Sequence, residues 1–378
     1  MLQKLVISAA RKGAKNNSLV FSSGIYLSKK VRYIVSIEME DKMISLTRNA
    51  LTLCALTLAA PATSQEVNVY SYRQPELIQP LMNAFTEETG VIVNVAFLKK
   101  GLIERLRAEG SRSPADLVFT VDISRLNGVV DADLTQPVKN EFLTKNIPAE
   151  FRDPSNHWFG LTTRARIVYA SKDRVTPGEV TTYEDLADPR WKNRICTRSG
   201  THAYMLALTA AYLHHHGEEK TLDWLKAVKS NLARKPQGND RAQVKAIWAG
   251  ECDISLGNTY YMGKMISDPE QQDWANSVSV EFPTFEAAGT HVNVSGMALT
   301  KAAPNRNEAI QLMEFLASPK AQEIYAADNF EYPIAPGTQA DPLVQSWGSF
   351  TADTVNLTTI AKLRADALRL TEIADFDG

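Results

Sequence analysis

One arrangement occurs twice in this chain and limits how it can fold. Cys196 precedes Tyr204 by eight residues, and Cys252 precedes the dipeptide Tyr260-Tyr261 by the same eight. Both cysteines lie in short strand-like runs, Arg194-Ile195-Cys196-Thr197 and Cys252-Asp253-Ile254-Ser255-Leu256. Each run breaks at a glycine with hydroxyl or amide residues beside it, the usual entry to a helix. The spacing predicts one strand-to-helix corner used twice, bringing tyrosines to one edge of a sheet. It also puts Cys196 and Cys252 at equivalent points of two strands that could be neighbours. In an oxidising compartment this favours a Cys196–Cys252 disulfide, with two buried free thiols as the alternative.

Tyrosines gathered at one point have a specific chemistry. A phenol ionises near pH ~10 when unperturbed, so a neutral-pH site must displace its proton. A trivalent cation does so, because a nearby positive charge favours the phenolate. Hard oxygen donors match a hard ion, above all Fe(III), whereas thiolates or imidazoles favour softer metals. Three phenolates, from Tyr204, Tyr260 and Tyr261, balance Fe(III) but leave an octahedron half filled. An accompanying anion would complete it and would need a cation alongside. Arg164, in the extended run Phe159 to Ala170, is the candidate, its fork suited to carbonate or a similar oxyanion. Arg166 lies on the same strand face two residues on and is expected to support it.

The N-terminus has a different character. Met43-Ile44-Ser45-Leu46-Thr47-Arg48 resembles the start of a signal peptide, and an apolar stretch follows from about Ala50 to Ala60. That stretch is too short to span a bilayer, and Ala60-Pro61-Ala62 has the small-x-small form that precedes cleavage. Residues 1–65 are therefore expected to be an upstream segment plus signal peptide starting at Met43, with a genuine N-terminal extension as the alternative. Export to the periplasm follows. Setting aside those residues, with nine Lys/Arg and three Asp/Glu, leaves 32 basic against 40 acidic residues and a net charge of −8. Such a chain is a poor partner for nucleic acid. Its 313 residues suffice for two domains sharing a cleft.

From Glu66 the pattern is βαβαβ. Strands are expected at Val67–Ser71, Val91–Phe97 and Asp116–Val121, with helices between them that stop at Gly90 and Gly110. The third strand is nearly all apolar, as in a parallel sheet covered on both faces. Ligands of such sheets collect beyond the carboxyl ends of the strands, where Ser71, Arg73 and Asp122 fall. A second α/β region follows: strand 194–198, helices at about 202–216, 221–229 and 240–249, and strand 252–257. Two long extended runs, Phe159–Ala170 and Thr290–Leu299, bracket it, as a two-strand hinge between lobes would require. Helices Asn305–Ala317, Pro319–Asn329 and Leu357–Glu372 close the chain.

At this level of detail the chain resembles the periplasmic ferric-iron-binding proteins of ABC transporters, the bacterial transferrins, over essentially its whole mature length. The residues that carry the resemblance are Val69-Tyr70-Ser71-Tyr72-Arg73, Ser113-Pro114-Ala115-Asp116, the segment Tyr183 to Lys192, and Pro236-Gln237-Gly238-Asn239-Asp240. Asn258-Thr259-Tyr260-Tyr261-Met262-Gly263 and Gly289 to Gly296 complete the set. The resemblance implies an α/β, two-lobed type II periplasmic binding protein, with a two-strand hinge and a ligand cleft between the lobes. Residues 66–163 with about 293–345 would form one lobe, and 164–292 with about 346–378 the other. It further implies capture of Fe(III) with a synergistic anion, Arg164 matching the arginine that accompanies it, and delivery by a monomer to an inner-membrane ABC permease.

One departure stands out. Relatives with more protein ligands carry His-Tyr after the first strand's Ser-x-Arg, whereas here those positions read Gln74-Pro75. A three-tyrosine site is therefore expected, more dependent on the anion, with Tyr72 as a substitute ligand the alternative. Other residues have plainer readings. His214-His215-His216 splay around a helix and cannot easily share an ion, so a solvated helix end is expected. His202 and His291 are expected to be satisfied structural histidines. Asp122 and Arg73 are candidate supporting residues, Asp122 more as a helix cap or lobe brace than as a ligand. No nucleotide loop, Gly-x-Ser-x-Gly elbow or His-Glu-x-x-His is present, so a binding protein is expected rather than an enzyme. A receptor for an anionic organic or oxyanion solute is the alternative, since the fold serves many ligands.

Overall fold

The computed structural model describes residues 65–378; the upstream segment and the signal-peptide reading lie outside the described residues. Strand β1 (Glu66–Ser71) alternates inward Val67 and Val69 with more exposed neighbours. Helix α1 (Gln79–Thr89) buries Leu81, Met82 and Phe85 on one face and stops at Gly90, whose φ of 76° is left-handed and whose N–H donates to the Thr86 carbonyl. Strand β2 (Ile92–Phe97), helix α2 (Leu102–Glu109), strand β3 (Leu117–Thr120) and helix α3 (Ile123–Asp131) follow. β1 pairs in parallel with both β2 and β3, the expected βαβαβ unit.

The long strand β4 (Phe159–Ser171) is buried along all 13 residues. After it come β5 (Ile195–Cys196), helix α4 (Ala203–Ser230), helix α5 (Asp240–Trp248), β6 (Ile254–Asn258), helix α6 (Tyr260–Ile266), β7 (Val278–Glu281) and β8 (Val292–Leu299). Helices α7 (Arg306–Leu316) and α8 (Pro319–Asn329), strand β9 (Tyr332–Pro333), and helices α9 (Leu357–Lys362) and α10 (Arg364–Ile373) complete the labelled elements. The sheet runs β2-β1-β3-β8-β4-β6-β5. β4 changes partner part-way: Thr163 and Arg164 face Val294 and Asn293 of β8, whereas Arg166 to Ala170 face β6, with β7 alongside. The extended run at 290–299 is thus the neighbour of the long strand, as a hinge pair requires.

The repeated corner is present. β5 and β6 are parallel neighbours, Ile195 opposite Ile254 and Cys196 opposite Ser255. Cys196 and Cys252 form a disulfide between buried positions, their Cα atoms 5.8 Å apart. Each strand ends at a turn that opens a helix carrying the tyrosines in its first turn.

Some elements differ from expectation. The strand at 194–198 is two residues long, because beyond Cys196 the Thr197 carbonyl accepts from the Gln237 N–H. The helices expected at 202–216 and 221–229 are one run broken at Gly217, whose φ of 78° and ψ of 175° are not helical. The helix expected at Leu357–Glu372 is two, meeting at Leu363. No helix among the described residues is long and apolar enough to cross a membrane.

Candidate metal centre

Tyr204 lies in the first turn of α4, whose N-cap is His202; the His202 Nδ1 accepts from the Tyr204 N–H at 3.2 Å. Tyr260 and Tyr261 open α6. The Tyr260 hydroxyl donates to the Tyr204 hydroxyl at 3.2 Å, across 56 residues of sequence. The Tyr260 and Tyr261 ring centroids are 4.2 Å apart. Three phenols from two corners therefore meet at one point. Burial pushes the Tyr260 phenol well above its ordinary value, and neighbouring Tyr204 and Tyr261 push the same way, while Arg164 opposes them. Burial likewise pushes Tyr261 up to about 12. With no cation present these two phenols hold their protons at neutral pH.

Arginines line the other side of the centre. Arg164 is 2% exposed; its Nη1 donates to Ser295 Oγ at 3.2 Å and its Nε has no protein partner. Arg166 donates to Asp240 Oδ2 at 2.7 Å and to Asn258 Oδ1 at 3.2 Å. Arg198 donates to Asp240 Oδ1 at 2.8 Å, and its guanidinium carbon lies 5.2 Å from the Tyr204 ring centroid. The Nε atoms of Arg166 and Arg198 also lack partners. A cavity of about 10 Å³, room for roughly one water, is bounded by Arg164, Arg166, Tyr204, Asn258, His291 and Asn293. Arg166 and Arg198 share Asp240, whereas Arg164 keeps a free Nε, a guanidinium donor that an anion could use.

The remaining sequence-derived residues have definite partners. Arg73 is fixed in a buried ion pair with Glu331 at 2.6 Å and also donates to Ser295 and Tyr325; it acts on Tyr260 only through its charge. Asp122 caps α3 by accepting from the Ser124 N–H, and its other oxygen accepts from Asn293 Nδ2 on β8 at 2.9 Å. It is both cap and brace. The Tyr72 ring lies beneath the Arg125 guanidinium, 4.6 Å away. His291 is buried, and burial lowers its pKa to about 4; His202 is lowered to about 4 for the same reason. The histidine triplet corrects an expectation in part: His214 is exposed at the helix break before Gly217, but His215 bonds Asp353 at 2.7 Å and His216 bonds Glu184 at 2.5 Å rather than solvent alone. Two residues without a sequence signal of their own also reach this centre: Asp240, in the Pro236–Asp240 segment, and Arg198, two residues beyond Cys196. Among the described residues no group of three His, Cys, Asp or Glu side chains could hold a metal, so phenol oxygens are the hard donors at hand.

This geometry can be set beside known proteins. The profile of bacterial extracellular solute-binding proteins matches residues 112–350. The chain belongs to that family. Among its relatives, this solute-binding protein is 44% identical over 313 residues to the Synechocystis iron uptake protein A1, covering 82% of this chain and 87% of the relative. The Mannheimia haemolytica ferric iron-binding protein A, solved in an open conformation, superposes with a TM-score of 0.81 at 50% identity, covering 83% of this chain and 99% of that one. A Trichodesmium protein solved with iron and citrate ligands gives a TM-score of 0.80 at 41% identity, over 82% and 99% of the two chains. The fold of this solute-binding protein is thus the two-lobed type II arrangement expected from its sequence.

Proposed function

We propose that this solute-binding protein captures Fe(III) in the periplasm and delivers it to an inner-membrane ABC permease. Tyr204, Tyr260 and Tyr261 supply tyrosinate ligands, and Arg164 holds a synergistic anion such as carbonate. The observation that carries the reading is the 3.2 Å approach of the Tyr204 and Tyr260 hydroxyls, with the Tyr261 ring packed against Tyr260. A buried phenol and a half-buried one at hydrogen-bonding distance, with a third ring packed beside them, form a ready set of oxygen donors once something replaces their protons. A trivalent cation does that, and each phenolate it creates offsets one of its charges. The names of the relatives, an iron uptake protein and a ferric iron-binding protein, agree with this cargo. Lobes of 66–163 with about 293–345, and 164–292 with about 346–378, would close over the ion, and the protein would work as a monomer rather than as a catalyst.

The test is a visible spectrum of the purified protein before and after ferric citrate in bicarbonate buffer. Tyrosinate-to-iron charge transfer gives a broad visible band that Tyr261→Phe weakens or removes. A protein that stays colourless and takes up no metal overturns the iron reading. The Arg164 and Arg166 guanidiniums lining the small cavity then favour the second reading, an anionic organic or oxyanion ligand.

A further inference from the structure

One carboxylate touches both corners that carry the tyrosines. Asp240 is fully buried in the first turn of α5. Its Oδ1 accepts from Arg198, in the turn between β5 and α4, at 2.8 Å. Its Oδ2 accepts from Arg166 on β4 at 2.7 Å and from the backbone N–H of Asn258, the last residue of β6, at 3.0 Å. Each oxygen therefore holds one corner. Oδ1 reaches the Tyr204 corner through Arg198, whose guanidinium lies over the Tyr204 ring. Oδ2 reaches the Tyr260 corner through Asn258, two residues before Tyr260. Other bonds stiffen this second corner: the Tyr169 hydroxyl donates to the Asn258 carbonyl at 2.7 Å, and the Thr259 N–H to the Ala165 carbonyl at 3.1 Å.

We propose that Asp240 is the positioning residue of the iron site, a yoke that sets the separation of the Tyr204 and Tyr260 hydroxyls with one oxygen for each corner. The proposal rests on the iron reading above. A carboxylate suits the task because its two oxygens are rigidly spaced and each bond is charge-assisted. Neither arginine can leave without stranding a buried charge, so the yoke does not slacken by itself. Its place in the first turn of a helix favours the negative charge further. The disulfide joins Cys196 of β5 to Cys252, two residues before β6, each eight residues upstream of a tyrosine. The yoke acts beyond it, at the ends from which the tyrosines project.

The experiment compares wild type with Arg198→Gln, Arg198→Lys and Asp240→Asn. Three quantities are read on purified protein: ferric affinity by competition with citrate, the visible charge-transfer band, and the melting temperature of the metal-free form. Arg198→Gln should lower ferric affinity about 10- to 100-fold, the usual loss when a residue orienting metal ligands is removed. It should also shift the visible band, and Arg198→Lys should recover part of both. On a Tyr204→Phe background the same Arg198→Gln change should cost much less, because the corner it orients no longer supplies a ligand. A residue that merely supports the fold would lower the melting temperature and leave band and affinity of the folded protein alone; that result overturns the proposal, as does wild-type behaviour in all three readings. Should Asp240→Asn fail to fold, the Arg198 pair decides. A colourless wild type sinks the iron reading itself, whereas a coloured wild type with indistinguishable variants sinks only the yoke.

Discussion

A tyrosine that must lose its proton to bind makes cargo uptake a proton-releasing event. Burial and neighbouring phenols hold Tyr260 well above its ordinary value and Tyr261 at about 12, so both are neutral in the metal-free protein at pH 7. Loading with iron should therefore release about three protons per ion from the phenols if all three ligate, and one more when the anion enters as bicarbonate and binds as carbonate. A pH-stat titration with a ferric chelate, corrected for the chelator's own protons, measures this directly. The sign follows: ferric affinity rises as pH rises toward the phenol range and falls on acidification. Release of only one proton would mean that the tyrosines do not act as a set. Tyrosine was readable in the sequence as the donor type because Tyr204 and Tyr260 share an offset from a cysteine. Arg198 and Asp240 were not, since a buried ion cluster has no spacing rule: Arg166, Arg198 and Asp240 come from β4, a turn and the start of a helix, and only the fold brings them together.

The elements hold these residues through covalent and steric devices that can be tested separately. The Cys196–Cys252 bond closes a separation of 56 residues. On the loop-entropy account a bridge of that span is worth about 4 kcal/mol, and measured values for native bridges commonly fall at about 2–5 kcal/mol. The double variant Cys196→Ser, Cys252→Ser should therefore unfold at clearly lower urea concentration, with most of the loss reproduced by a reductant on wild type. Gly263 in α6 is a second device. A Cβ there would stand 2.2 Å from the Phe330 ring, which follows α8. Alanine in a helix normally stabilises by about 1 kcal/mol over glycine, but overpacking of this kind costs about 1–3 kcal/mol. The clash wins, so Gly263→Ala should be destabilising in chemical denaturation. The helix break at Gly217 and the short β5 show where sequence patterns fail. Periodicity marks which residues face the core, but not whether a carbonyl such as that of Thr197 finds its partner in a strand or a loop.

At the scale of the molecule, acid should weaken the fold as well as the site. Burial lowers the His291 pKa to about 4; Asp353 opposes it, and Arg166, His215 and Arg164 add to the lowering. In an unfolded chain a histidine titrates near ~6.5. Because the folded value is depressed, the protonated form favours unfolding; this contribution is complete above about pH 6.5 and is lost as pH falls toward 4. The urea midpoint of the metal-free protein should drop between pH 7 and 5, and His291→Gln should show a shallower drop. Equal slopes in the two proteins would remove His291 from the account. The two-lobed plan was legible because βαβαβ rhythm and two long extended runs are properties of whole segments, which single substitutions do not obscure.

The change of partner along β4 has one more consequence. Arg164 lies opposite Asn293 of β8, and Arg166 opposite Asn258 of β6, yet both stand on one unbroken strand. However the two halves of the sheet are turned, the interval between these arginines along the chain stays at two residues, roughly 7 Å. The pair is a fixed gauge. The anion proposed above at Arg164 would therefore keep Arg166 at the same interval along the strand, whichever way the partner strands turn.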